Sequence, residues 1–294
     1  MISLPFAAQN LTEKTSLDLA NQIKVEAILT PLLPQPILTT YACQGMGNPP
    51  LLLLHGFDSS LLEFRRLFPL LSQHHETWAI DLLGFGFTQR MPDLLLSPQE
   101  IKTHLYYTWK TLIKQPIILV GASMGGATAI DFTLNYPELV KKLVLIDSAG
   151  LASPPKIGKF MFPPLDYLST AFLSNSKVRQ KISQTAYYDK SFASKDAQLC
   201  ASLHLNCERW SQGLIAFTKS GGYGSFKHDL AKIEQSTLIL WGENDKILGT
   251  KDANEFKKLI PNSRLTWLPK CGHVPHLEKP ELTAQAILEI SEIQ

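Results

Sequence analysis

No apolar run in the 294 residues approaches the roughly 18 to 20 that a membrane-spanning helix needs; the strongest are the short segments 51–54 and 116–120. A transmembrane protein is therefore not expected. The opening MISLPFAAQNLTEK lacks a basic stretch ahead of its short apolar one, and amide and acidic residues follow at once. That is not the layout of a secretory signal, and the expected location is cytoplasmic. Charge of one sign is also scarce, with 28 Lys and Arg against 26 Asp and Glu and no block of like charges. Nucleic-acid binding, which leans on clustered Lys and Arg, has no electrostatic footing here. The four cysteines, Cys43, Cys200, Cys207 and Cys271, include no CxxC pair and no zinc-like grouping with histidine. They read as free thiols, with neither a disulfide framework nor a metal site. What remains is a folded chain, 45% hydrophobic, whose expected partner is a small molecule.

From about residue 36 onward, short Leu-rich or β-branched runs alternate with longer amphipathic ones, as in parallel strands joined by crossover helices. Strands are expected at 51–54, 77–81, 116–120, 142–146, 237–241 and 264–268, each nearly all apolar and so covered on both faces. Helices are expected at 60–72, 97–113, 124–136, 250–259 and 278–293. Ser97, Pro98 and Glu100 form a capping-box pattern, and Pro137 closes the helix that begins after Ser123. The alternation stops between about Gly150 and Ser225, where Pro154, Pro155, Pro163 and Pro164 precede helix-like segments. An insertion of that length inside a regular α/β pattern reads as a helical lid, 150–225, returning through Ser220, Gly221, Gly222, Tyr223 and Gly224. The core is then 37–149 and 226–294. Residues 1–36 are expected to be a helical appendage, with Ser16 as cap and Leu19, Ile23 and Ala27 on one face, before Pro31, Pro34 and Pro36 impose an extended path. Such a helix packs on the domain surface or reaches the lid or a membrane surface.

Chemistry concentrates around Gly121, Ala122, Ser123, Met124 and Gly125, a GxSxG pattern set between an apolar strand and an Ala-rich helix. A sharp turn there presents the Ser123 hydroxyl above the strand ends, and the glycines remove side chains that would collide with strand and helix. A serine hydroxyl needs a base within reach and a carboxylate to orient that base. The strand 237–241 is followed by Gly242, Glu243, Asn244 and Asp245, and the strand 264–268 by Pro269, Lys270, Cys271, Gly272 and His273. Ser123, Asp245 and His273 thus supply nucleophile, acid and base in chain order, with Asp147 as second candidate for the acid and His276 for the base. Glu243 and Asp81 read as structural, and His55 as a shaper of its loop. Gly84 and Gly86 lack the third glycine of a dinucleotide loop, so no cofactor is expected. Backbone N–H groups of Phe57 and Met124 are placed to hold an oxyanion.

With LLLLHGF at 51–57, DLLGFG at 81–86, GASMGG at 121–126, WGENDKI at 241–247 and CGHVPHLEKP at 271–280, the chain resembles the lid-bearing members of the α/β-hydrolase superfamily. The resemblance covers about residues 37–294. It implies an α/β fold, a mostly parallel sheet with helices on both faces and an inserted helical lid. It also implies a Ser123, Asp245, His273 triad with Phe57 and Met124 as oxyanion donors. Haloalkane dehalogenases and epoxide hydrolases of the superfamily carry Asp where Ser123 stands, which argues against both. Ester hydrolases, carbon–carbon bond hydrolases of diketone-like substrates, haloperoxidase-like enzymes, peptidases and acyltransferases stay open, as does a small-molecule receptor with little turnover. The reading that leads is a serine hydrolase forming an acyl-enzyme on a carboxylic ester. Phe160, Met161, Phe162, Leu165 and Tyr167 at the lid entrance suit a lipophilic one.

Overall fold

The structure, a computed structural model, describes residues 6–92, 94–152 and 165–292. Its strands are β1 (Lys24–Thr30), β2 (Leu33–Gln44), β3 (Leu51–Leu54), β4 (Thr77–Ile80), β5 (Ile117–Ala122), β6 (Val140–Ile146), β7 (Ser236–Gly242) and β8 (Ser263–Leu268). They form one sheet in the order β1-β2-β4-β3-β5-β6-β7-β8. Every pairing from β4 to β8 is parallel, and β1–β2 and β2–β4 are antiparallel. The six expected strands are all present. In β3, β5 and β6 apolar runs bury both faces: Leu52, Leu54, Leu119 and Leu145 enter one core layer, while Leu51, Leu53, Val120 and Val144 enter the other. The edge strand β8 departs from the expectation, with only Leu268 buried.

The helices are α1 (Lys14–Asn21), α2 (Phe68–Leu71), α3 (Pro98–Leu112), α4 (Met124–Asn135), α5 (Leu165–Ser174), α6 (Ser176–Ala186), α7 (Lys195–Cys200), α8 (Trp210–Lys219), α9 (Lys251–Leu259), α10 (Pro275–Glu278) and α11 (Pro280–Glu292). Ile101, Phe132 and Phe256 of α3, α4 and α9 pack into the first layer; Leu19, Phe68 and Ile287 of α1, α2 and α11 pack into the second. This is the α/β architecture expected from the alternation. Ser97 caps α3 as expected, accepting the Gln99 N–H at 3.2 Å.

Three expectations are corrected. The helix through Ile23 and Ala27 ends at Asn21, and residues 24–30 form β1, paired with β2 from Lys24↔Tyr41 to Ile28↔Ile37. Apolar residues at 23 and 27 fit a helical spacing, but Ile23, Val25 and Ile28 are β-branched and the strand has a partner. Ser16 does not cap α1; its buried hydroxyl donates to Asp196 Oδ2 at 2.6 Å. The helix expected at 60–72 is broken into a 3₁₀ turn, Leu61–Phe64, and α2, since Pro69 cannot sit inside a continuous helix. The helix expected at 278–293 is present as α11, which begins at Pro280, a residue suited to the first helical position.

Helices α5 to α8 lie between β6 and β7, and the two ends of this insertion meet where Phe226 N–H donates to Gly150 O at 2.7 Å. Three buried carboxylates tie the insertion down. Asp58 accepts from Arg179 Nη1 (2.7 Å), His204 Nε2 (3.1 Å) and Trp210 Nε1 (2.8 Å). Asp196 accepts the N–H groups of Thr12 and Glu13 at the start of α1, at 2.5 and 3.0 Å. Glu278 accepts those of Tyr188 (3.0 Å) and Asp189 (2.6 Å), and also that of Gly272 (2.8 Å). Phe160, Met161 and Phe162 lie outside the described residues, as does the Leu165 side chain. Tyr167 is exposed.

Candidate active site

Ser123 sits between β5 and α4 with φ 52 and ψ −118, a left-handed turn that a non-glycine residue adopts only when its surroundings impose it. The surroundings do so. Ser123 N–H donates to Ile146 O (3.0 Å), and Ser123 O accepts the N–H of Ala149 (2.9 Å). A Cβ at Gly121 would come within 2.2 Å of Gly125 O, and one at Gly125 within 2.0 Å of Leu54 O. Both glycines are therefore required for strand and helix to approach at this turn.

Asp245 follows β7 and His273 follows β8, and the sheet brings their loops together. His273 Nδ1 lies 2.9 Å from Asp245 Oδ2, while Asp245 Oδ1 accepts the N–H groups of Ile247 (2.7 Å) and Leu248 (3.1 Å). Burial opposes ionisation of Asp245, but the His273 contact and the two amides outweigh it and hold the carboxyl below its ordinary range. The pairing leaves His273 Nε2 as the nitrogen available for other chemistry. His273 N–H is anchored on Ala186 O at 2.7 Å. Ser123 and His273 line the same cavity, about 740 Å³, whose wall combines apolar Leu173, Ile182, Leu199, Leu205, Val274 and Leu277 with polar side chains such as Gln180, Lys195, Gln198 and Asn206.

The second-choice residues have other partners. Asp147, fully buried with φ 39, accepts the Gly242 N–H at 3.1 Å. Burial and the neighbouring Asp245 raise its carboxyl well above the usual range. Among the described residues Asp147, Asp245 and His273 are the one grouping with metal-ligand proximity, but the carboxylates and His273 Nδ1 are already engaged with one another and with backbone. His276 Nε2 lies 2.9 Å from Glu63 Oε1. His55 accepts the Leu82 N–H at Nε2 (3.1 Å), so Nδ1 carries the proton facing Gly56 O (2.8 Å). Asp81 accepts the N–H groups of Leu61 (2.7 Å) and Phe87 (2.9 Å), a loop-holding role. The four cysteines are free, with Cys200 and Cys271 buried and Cys43 and Cys207 partly exposed.

Phe57 follows β3 with its ring 44% exposed, and Met124 opens α4. Neither N–H hydrogen-bonds to another described residue. Sequence reasoning missed Asp58, Glu63 and Glu278, whose partners lie far along the chain. The one local signal was the position of Asp58 directly after Phe57.

A model of the alpha/beta hydrolase fold family matches residues 49–280. The chain is 35% identical over 246 residues to alpha/beta hydrolase domain-containing protein VTE7 of Arabidopsis thaliana, covering 82% of this chain and 74% of that protein. It is 30% identical over 259 residues to the 2-hydroxy-6-oxo-6-(2'-aminophenyl)hexa-2,4-dienoic acid hydrolase of Metapseudomonas resinovorans, covering 85% and 86%. Bacterial lipases are also among its relatives. A solved serine hydrolase involved in carbazole degradation superposes with a TM-score of 0.77 at 25% identity, over 92% of this chain and 100% of that one. With the fold, the turn at Ser123 and these matches in agreement, the chain belongs to the α/β-hydrolase fold family of hydrolases.

Proposed function

We propose that the protein is a serine hydrolase of carboxylic esters with a substantial apolar portion. The observation that carries this is Ser123, held on its left-handed turn on the wall of the cavity that His273 also lines, with His273 Nδ1 on Asp245. In this reading His273 Nε2 takes the Ser123 proton as Oγ attacks the ester carbonyl. The unengaged N–H groups of Phe57 and Met124 receive the oxyanion. The alcohol leaves with the proton from His273, and a water activated by the same nitrogen attacks the acyl-enzyme to release the acid and regenerate Ser123. The apolar wall supports a lipophilic acyl or alcohol group, and helices α5 to α7, whose residues line the cavity, act as the lid over it.

Carbon–carbon bond hydrolysis is the second reading, favoured by the relative that acts on a dienoic acid and by Arg65 in the cavity wall. Arg65 is buried and lies 3.8 Å from Glu13 at Nε, and a substrate carboxylate would have to compete with that carboxylate for it. The test is labelling with a fluorophosphonate and turnover of p-nitrophenyl esters of increasing chain length, beside a vinylogous diketone. Labelling at Ser123 with ester turnover that falls about four orders of magnitude or more in Ser123→Ala and His273→Ala is expected. Turnover of the diketone alone selects the second reading. Labelling without turnover of either indicates a receptor, and absence of labelling removes Ser123 as nucleophile.

A further inference from the structure

Glu63 and His276 have no part in the reaction as described, yet they flank it. The chain leaves β3 through His55, Gly56 and Phe57, and the 3₁₀ turn Leu61–Phe64 folds back so that Glu63 Oε2 accepts the Gly56 N–H at 3.2 Å. A Cβ on Gly56 would lie 3.3 Å from Ser123 Cβ and 3.5 Å from Glu63 Oε2. The nucleophile and this carboxylate therefore border the same residue, the one immediately before Phe57. The other carboxylate oxygen is 2.9 Å from His276 Nε2, a close ion-pair contact without hydrogen-bond geometry. His276 is buried on α10, its ring 5.4 Å from that of Phe64, and two residues, Val274 and Pro275, separate it from His273. Burial would raise the Glu63 carboxyl, but His276, Ser59 and His55 outweigh it and hold the group at about 2, so it is ionised at neutral pH. A buried carboxylate this close to a developing oxyanion is tolerable only with a partner.

We propose that Glu63 and His276 are positioning residues for acyl transfer: their contact ties the Phe57 turn to the His273 loop and so sets the oxyanion donor and the base at a common distance from Ser123. This rests on the reading of Ser123, His273 and Phe57 given above. It assigns to His276 a task distinct from that of base, and it makes the two halves of the machinery, which come from opposite ends of the chain, a single mechanical unit.

The test uses the full chain and the variants Glu63→Ala, Glu63→Gln, His276→Leu and the double variant Glu63→Gln with His276→Leu. On p-nitrophenyl esters, Glu63→Ala and His276→Leu are expected to lower kcat about 10- to 100-fold with KM changed less than about threefold. Glu63→Gln, which keeps an acceptor for Gly56, loses less than Glu63→Ala. The double variant exceeds His276→Leu, because the neutral amide, unlike the buried carboxylate, is not left as an unpartnered charge. A rise in KM at constant kcat, or single losses that simply multiply in the double variant, overturns the proposal. Hydrogen exchange supplies a readout independent of activity: each single variant is expected to speed exchange in both 55–58 and 270–276. Faster exchange confined to the substituted segment refutes the tie even if no ester is turned over. Wild-type labelling at Ser123 reports separately on the hydrolase reading.

Discussion

At the residue scale, two aspartates differ by environment more than by position. Asp147 and Asp245 each follow a parallel strand and approach one another, but only Asp245 reaches His273 and is held ionised by it. Burial and that neighbour push the Asp147 carboxyl upward instead. Asp245→Asn is therefore expected to lower kcat about 10³- to 10⁴-fold, through loss of the orientation and charge that support His273. Asp147→Asn, which preserves shape at a residue that does not hydrogen-bond to His273, is expected to cost less than about tenfold. Steady-state kinetics on one ester distinguish them, and equal losses would show that the two carboxyls work as a unit. The order of Ser123, Asp245 and His273 was legible in the sequence because each follows a strand that is itself legible. The choice between Asp245 and Asp147 was argued there from position alone; the distances supply the physical ground. The pairing of His276 with Glu63 was illegible, since nothing within ten residues of either names the other.

At the scale of elements, legibility follows burial. β3 and β5 are buried along their whole length and announce themselves as apolar runs. In β1 only Ile28 is buried, and Pro34 and Pro36 sit in β2 before it gains β4 as a neighbour at Tyr41. A strand paired on one side tolerates a missing N–H there, so prolines that read as breakers lie within it. The anchors of α5 to α8 also belong to this scale. Asp58→Ala strands the buried partners Arg179, His204 and Trp210, at an expected cost of about 3 to 5 kcal/mol. Limited proteolysis should then cut within 176–219 well before the sheet is attacked, whereas cleavage at the wild-type rate would show that the other two anchors suffice. Asp196→Ala removes the acceptor for two N–H groups at the start of α1 and should cost about 1 to 2 kcal/mol, read as a lower Tm with kcat retained.

At the scale of the whole molecule, the buried ionisable groups shape stability against pH in two stages. Burial holds His104 at about 4, with Nε2 2.8 Å from Thr39 Oγ1, while an unfolded histidine titrates near 6.5. Between those values the unfolded chain takes up a proton that the folded one refuses. Its contribution is complete above about pH 6.5 and declines toward pH 4 by a few kcal/mol. Asp58 and Glu63, both held at about 2, add a second decline, complete above their unfolded values near 4 and lost as pH falls toward 2. Urea unfolding midpoints measured from pH 7 to 3 should show both, and His104→Gln should flatten the upper stage alone. A flat wild-type profile between pH 6.5 and 5 would remove His104 from this role.

The hydrogen bond from Phe226 to Gly150 gives the inserted helices a single narrow doorway. The chain leaves the sheet and returns to it at adjacent points, so β6 and β7 pair as though nothing intervened. For evolution this is a splice junction: the cover over the cavity can be lengthened, shortened or exchanged for another while the strands and the turn at Ser123 beneath keep their places. One sheet, with one turn at Ser123, thus accommodates insertions of very different bulk between β6 and β7.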